Sequence, residues 1–200
     1  IVKALVQGES IVVNSLCFPS QFGCTQDVPT YDYNPEKAKK LLAEAGYPNG
    51  FETPFLAYRN RDYAEAMINN LNAVGITAKF EYLKYAAFRD KVQSGGAPFN
   101  FGTWGSYSIN DVSAITSHFQ SGGKDDYSKD PEVIKQLGIG DTSVDANVRK
   151  AAYKAALSRI SGEAFMFPLW SYNTWYAFSK DVDFNPTPDE IPRFFTAKWM

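Results

Sequence analysis

In the stretch NPEKAKKLLAEAG, Ala38, Leu41, Leu42 and Ala45 stand at i, i+3, i+4 and i+7, an apolar stripe along one side of a helix. Asn34 suits the N-cap. Pro35 suits the first turn, where a missing N–H costs nothing, and Gly46 suits a left-handed end. The charge run EKAKK reads as the solvated face of that helix. The period then changes. FETPFLAY (51–58) predicts a strand, and DYAEAMINNLNAV (62–74) predicts a helix stopped by Gly75. In ITAKFEYL (76–83), Ile76, Ala78, Phe80 and Tyr82 alternate with Thr77, Lys79 and Glu81, a second strand. YAAFRDKVQSG (85–95) predicts a helix and PFNFGTW (98–104) a third strand. Strands alternating with helices imply right-handed crossovers and a parallel βαβαβ sheet, with ligands beyond the carboxyl ends of its strands.

Downstream the pattern loosens. DVSAITSHF predicts a helix from Asp111, followed by the polar loop SGGKDDYSKDP and a short helix from Pro131 through Leu137. Residues 143–164 predict a long amphipathic helix whose apolar face is Ala152, Ala155, Ala156 and Ile160, flanked by Tyr153 and Leu157. FMFPLW and TWYAF read as strand, turn and strand. The three prolines of NPTPDEIPRFFTAKW predict a tail laid along a surface. Residues 1–33 read as a helix end and an irregular connector. The organisation expected is therefore connector 1–33, α/β lobe 34–170 and aromatic strand with tail 171–200.

Composition narrows the function classes. Two hundred residues suffice to bury roughly 70% of the unfolded surface in one domain or one lobe. A net charge of −2 lacks the basic stripe that would neutralise phosphates, so no nucleic-acid partner is expected. No apolar run approaches the roughly 20 residues of a membrane-spanning helix. The chain opens on IVKALVQGES with neither an initiator Met nor a leader, so residue 1 is expected to be a boundary. Aromatic content is high, with 15 Phe, 12 Tyr and 4 Trp, more than one core face absorbs. The surplus either caps a second layer or lines a cleft. Cys17 and Cys24 frame CFPSQFGC, a loop able to close a disulfide, with two free thiols the alternative; the spacing fits no metal site.

Catalytic signatures are absent: there is no G-x-S-x-G elbow, P-loop or G-x-G-x-x-G, and nothing singles out two carboxylates for glycoside hydrolysis. The single histidine, His118, reads as structural. The loop after the third strand fares better. Trp104, Gly105, Ser106, Tyr107, Asn110 and Asp111 offer flat rings and neutral hydrogen-bonding groups, suited to holding a solute and poorly suited to splitting one. For Trp104 core closure is the competing reading. Asp111 serves better as the N-cap of the next helix than as a ligand contact. No catalytic residue, metal or cofactor is expected.

YDYNPEKAKKLLAEAGYPNGFE resembles the tyrosine–Asn–Pro–Glu–Lys–Ala helix of the family 5 extracellular solute-binding proteins, the dipeptide, oligopeptide and nickel receptors of bacterial ABC importers. The later order is similar too: AEAMINNLNAVGITAKFEYL, a glycine-Trp loop, a long helix, PLWSYNTWYAF and IPRFFTAKW. The resemblance implies the C-terminal portion of a longer two-lobed clamp: a type II periplasmic-binding-protein-like α/β lobe, with a tail returning toward the hinge. It further implies a monomeric, exported periplasmic protein whose signal peptide lies outside this stretch, which passes a small solute to an ABC permease in the inner membrane. Peptide-binding members carry an Asp three residues after the loop Trp, opposite the peptide's amino group. That place is Tyr107 here, and Asp111 matches the second acidic position only with one residue inserted. A desolvated ammonium needs a fixed counter-charge. The departure therefore favours a modified peptide, an opine-like compound or an oligosaccharide over an ordinary peptide. The alternatives are a secreted glycan-acting hydrolase domain, from the aromatic density, and a protein-interaction module, from the aromatic tail.

Overall fold

A computed structural model describes residues 1–6, 8–105, 108–187 and 191–200. In chain order the elements are α1 (Val2–Leu5), α2 (Pro35–Glu44), β1 (Phe51–Ala57), α3 (Arg61–Asn72), β2 (Ile76–Tyr82), α4 (Tyr85–Gln93) and β3 (Asn100–Phe101). They continue as α5 (Ser113–Phe119), α6 (Pro131–Thr142), α7 (Ala146–Gly162), β4 (Val182–Asp183) and β5 (Lys198–Trp199). A 3₁₀ turn, Phe194–Thr196, precedes β5.

β1, β2 and β3 form the expected parallel sheet in the order β2-β1-β3. β1 pairs with β2 along its whole length, Phe51 with Ile76 through Ala57 with Tyr82. It meets β3 only at Leu56–Asn100 and Ala57–Phe101. The expected third strand, 98–104, is thus cut to two residues: past Phe101 it has run beyond the end of β1 at Ala57, and on its other side proline limits it. The Leu56 N–H donates to the Phe99 carbonyl, so even-numbered residues of β1 face β3. Two steps back that register would need a donor at Pro54, whose ring nitrogen has none, so the ladder stops short of it.

α3 covers one face of the sheet, burying Tyr63, Ala64 and Ile68 against Phe55, Ala57 and Phe101. α4 covers the other, with Phe88 and Val92 against Leu56 and Ala97. A second core forms where α6 and α7 pack with Leu16, Cys17 and Val112. Its centre is the Tyr153 ring, fully buried and lying against Gly140 of α6. A Cβ at 140 would stand 2.4 Å from that ring, so only glycine permits the approach. This contact explains why α6 runs through two glycines to Thr142 and does not stop at Leu137: packing outweighs propensity. Asp130 caps α6, accepting from the N–H groups of Glu132 and Val133, and it holds the Arg159 fork at 2.8 and 2.7 Å. Those hydrogen bonds, the Arg159 one foremost, lower the Asp130 pKa to about 2.

α2 is capped as expected, the Asn34 side chain accepting from the Lys37 N–H, and Gly46 adopts φ +90°. Its stripe docks only through Ala38 and Leu42, because Leu41 stays exposed. On α7, Ala152, Tyr153, Ala156, Leu157 and Ile160 are buried, while Ala155 faces solvent.

The strand–turn–strand expected over FMFPLW and TWYAF does not form. Residues 169–171 strap across to 11–13 through a single bridge, Val12 with Trp170, and the flanking Pro168 supplies no donor. The strap seats Leu169 and Trp170 on the sheet core. Among the described residues, regular strand in the tail is confined to the antiparallel pair β4 and β5. There Phe184 is buried among Tyr176, Phe178 and Phe194, while Trp175, Phe195 and Trp199 are 77, 86 and 83% exposed. Of the two readings open for Cys17 and Cys24, the disulfide holds.

Candidate functional site

β1 and β3 both end at the same rim of the sheet, and the residues just past them meet there. Tyr58 and Arg59 follow β1; Thr103 and Trp104 follow β3. The Thr103 hydroxyl lies 3.0 Å from the Tyr58 hydroxyl and accepts from Arg59 Nη1 at 3.0 Å. Asn60 turns the chain into α3 with φ +49°, a conformation asparagine tolerates better than most residues. Tyr58 packs against Tyr85 and Phe88, ring centres 5.0 and 4.9 Å apart. Trp170 stands against Tyr63, Phe101 and Tyr172, and the Tyr172 hydroxyl points at Asn60 Oδ1 from 3.5 Å. Burial pushes the Tyr172 phenol up to about 12, so near neutrality it is a hydrogen-bond donor.

The neighbouring Arg61 is taken by Glu65 at 2.7 Å, but among the described residues Arg59 has no carboxylate partner. It is an exposed guanidinium at the rim, steadied by one hydroxyl.

Trp104 is half-buried. Its ring stacks on His118 at 4.3 Å and meets Phe119 edge-on at 5.0 Å, both on α5. His118 Nε2 in turn stands 3.5 Å from Asp125, whose carboxylate receives the Arg89 fork at 2.5 and 2.8 Å. Burial pushes the Asp125 carboxyl up, and the Arg89 fork more than offsets it, holding the group below its ordinary value. His118 is therefore the backing of Trp104, consistent with its expected structural role.

The remaining loop residues divide. Gly105 is exposed beside Trp104 and its carbonyl accepts from the Ser108 N–H. Ser106 and Tyr107 lie outside the described residues. Asn110 and Asp111 turn away toward the segment that precedes α2. The Asn110 carbonyl accepts from the Phe22 N–H. One Asp111 oxygen accepts from the Ser113 N–H, at the start of α5, and the other pairs with Arg149 at 2.8 Å. The Arg149 guanidinium also stacks over Phe22, donates to the Gly140 carbonyl and reaches the Tyr153 hydroxyl. The helix starts two residues later than expected, with Val112 and not Asp111 at the N-cap; Asp111 instead braces the Ser113 N–H from one position further out, and its carboxylate is engaged by a cation of the protein itself.

Five rim residues escaped the sequence: Tyr58, Arg59, Asn60, Thr103 and Tyr172. For the first three a signal existed. YRN stands at the carboxyl end of a strand of a parallel sheet, so the carboxyl-end rule applies to 51–58 as much as to 98–104. Thr103 falls inside the expected strand 98–104, and the strap that delivers Tyr172 carries no local signature.

Comparison with known proteins places these features in context. The model of the bacterial extracellular solute-binding proteins, family 5 (middle region), matches residues 1–126. Heme-binding protein A of Haemophilus influenzae is 47% identical over 55 residues, 28% of this chain and 10% of its own length. The dipeptide-binding protein of Escherichia coli is 37% identical over 100 residues, 43% of this chain and 19% of its own. Among solved structures, HbpA2 from Haemophilus parasuis superposes with a TM-score of 0.82 at 24% identity, covering 100% of this chain and 42% of that one. The fold is therefore shared over all 200 residues, and the chain spans less than half the length of each of these relatives.

Proposed function

The chain belongs to the bacterial extracellular solute-binding proteins of family 5, and from that premise we propose that it forms part of the receptor of an ABC importer. In this reading the rim holds a small acid-bearing solute, a peptide-like or opine-like compound, and releases it unchanged to a permease in the inner membrane. The protein acts in the periplasm and catalyses no reaction. The observation that carries the reading is the group Tyr58, Arg59, Thr103 and Trp104, gathered at the carboxyl ends of two parallel strands, with Arg59 lacking a carboxylate among the described residues. A guanidinium offers two parallel N–H groups to a solute carboxylate, and the flanking rings cover its apolar part. The ligands named for the two curated relatives, heme and a dipeptide, are both carboxylates.

The test is a titration of the ¹⁵N-labelled chain with millimolar dipeptides, acylated dipeptides, opines and neutral oligosaccharides. Acid-bearing solutes are expected to move the amide signals of Tyr58, Arg59, Thr103 and Trp104 and to be recovered intact. Shifts confined to other surfaces, or conversion of a solute, would overturn the reading. Capture of a protein, with no solute response, would favour an interaction module instead.

A further inference from the structure

The solute loop does not hold itself in place. Residues 109–112 are fastened to the ring closed by Cys17 and Cys24 through four hydrogen bonds. Two are main-chain: the Phe22 N–H donates to the Asn110 carbonyl at 3.2 Å, and the Val112 N–H donates to the Phe22 carbonyl at 3.0 Å. The other two come from one buried amide. Gln21 Nε2 donates to the carbonyls of Ile109 and Asp111 at 2.9 and 3.3 Å, while its Oε1 accepts from the Phe18 N–H at 3.0 Å. Gln21 therefore satisfies ring and loop at once, and its neighbour Phe22 lies beneath the guanidinium that holds Asp111.

From this fastening the connection runs directly to the rim. Val112 and Asp111 set the first turn of α5, and the same short helix presents His118 and Phe119 to Trp104. Displacing the start of a seven-residue helix displaces its end, since so short a helix moves as one piece. We propose that the Cys17–Cys24 ring is the positioning element of the solute loop, with Gln21 as its contact residue. Opening the ring moves Trp104 out of its place at the rim. The inference rests on the rim being the solute site.

The opening step is thiol–disulfide exchange with a dithiol. One thiolate of the reductant attacks a cysteine sulfur and expels the other cysteine as a thiolate, which takes a proton. The second reductant thiol then closes on the mixed disulfide and releases the first cysteine. Two electrons and two protons pass to the protein, and the reductant leaves as a cyclic disulfide.

The experiment uses the whole chain labelled with 5-fluorotryptophan, which gives one ¹⁹F line for each of its 4 tryptophans; Trp104→Phe assigns the line that matters. Adding dithiothreitol until two thiols are counted is expected to shift or broaden the Trp104 line alone, reversibly on reoxidation. Gln21→Leu, with the disulfide intact, is expected to move that line without reductant. A Trp104 line that stays put with both thiols counted overturns the proposal, as do four lines moving together, which would mean general loosening. If the double substitution Cys17→Ser, Cys24→Ser fails to fold, Gln21→Leu still decides. Solute titration separates this inference from the receptor reading. Equal affinity in both redox states removes the positioning role and leaves the receptor. Absence of rim binding in the oxidised chain removes the receptor, and with it the premise of this inference.

Discussion

Two loops leave the carboxyl rim of the same sheet, and they treat charge in opposite ways. The loop after β1 is three residues long, turns on Asn60 and leaves Arg59 held by a neutral hydroxyl and the Tyr58 ring. The loop after β3 is longer and pinned from behind, and its carboxylate, Asp111, is neutralised by Arg149. The rim therefore presents a cation from one loop and ring faces from the other. A charge on a binding loop says nothing about ligand charge until its partner within the protein is known. Asp111 resembles a counter-charge for an ammonium in one dimension and is a strut in three.

Perturbing each loop through its own support separates them. The largest effect is expected at the floor of the braced loop: Tyr153→Ala empties a buried ring site and should cost about 3–5 kcal/mol in urea unfolding. Next comes Arg149→Met, which leaves Asp111 half-buried without its cation and should cost about 1–3 kcal/mol. Its loss of solute affinity should follow from the lost fold, visible as parallel changes in the two measurements. Arg59→Ala should do the reverse. Affinity for an acidic solute found by titration should fall about tenfold. Stability, read by the same urea curve, should stay within about 0.5 kcal/mol.

The smallest effect concerns Asp130 at the start of α6, apart from both loops. Its folded pKa of about 2 lies below the ordinary carboxylate value of roughly 3.9. The protonated group is thus the weaker partner of the fold. Its contribution is complete above pH 4 and disappears as pH falls through 2. Asp130→Asn should flatten acid unfolding in that window and leave the two loops' relative behaviour untouched.

The sheet and its helices were legible because their signals are local. Alternation in 76–82, the Asn34–Pro35 start of α2 and the apolar face of α7 each lie within one element. What escaped depends on residues far apart in the chain. The shortness of β3 needs the register that sets it against Pro54 and the end of β1; the length of α6 needs Tyr153 against Gly140. The path of 165–178 is decided by a strap to 11–13. The site divides the same way. Trp104 and Gly105 were readable as a polar aromatic loop after a strand. The partner that takes Asp111 lies 38 residues away on α7, and no short stretch announces it.

Pro54 has one more consequence. Below Leu56 the flank of β1 that faces β3 has no neighbouring strand, which would ordinarily invite a foreign strand to zip on. A ring without an N–H in the middle of that flank makes the invitation poor. The protein thus guards against edge-to-edge aggregation with one proline, at the spot where its three-stranded sheet is least finished.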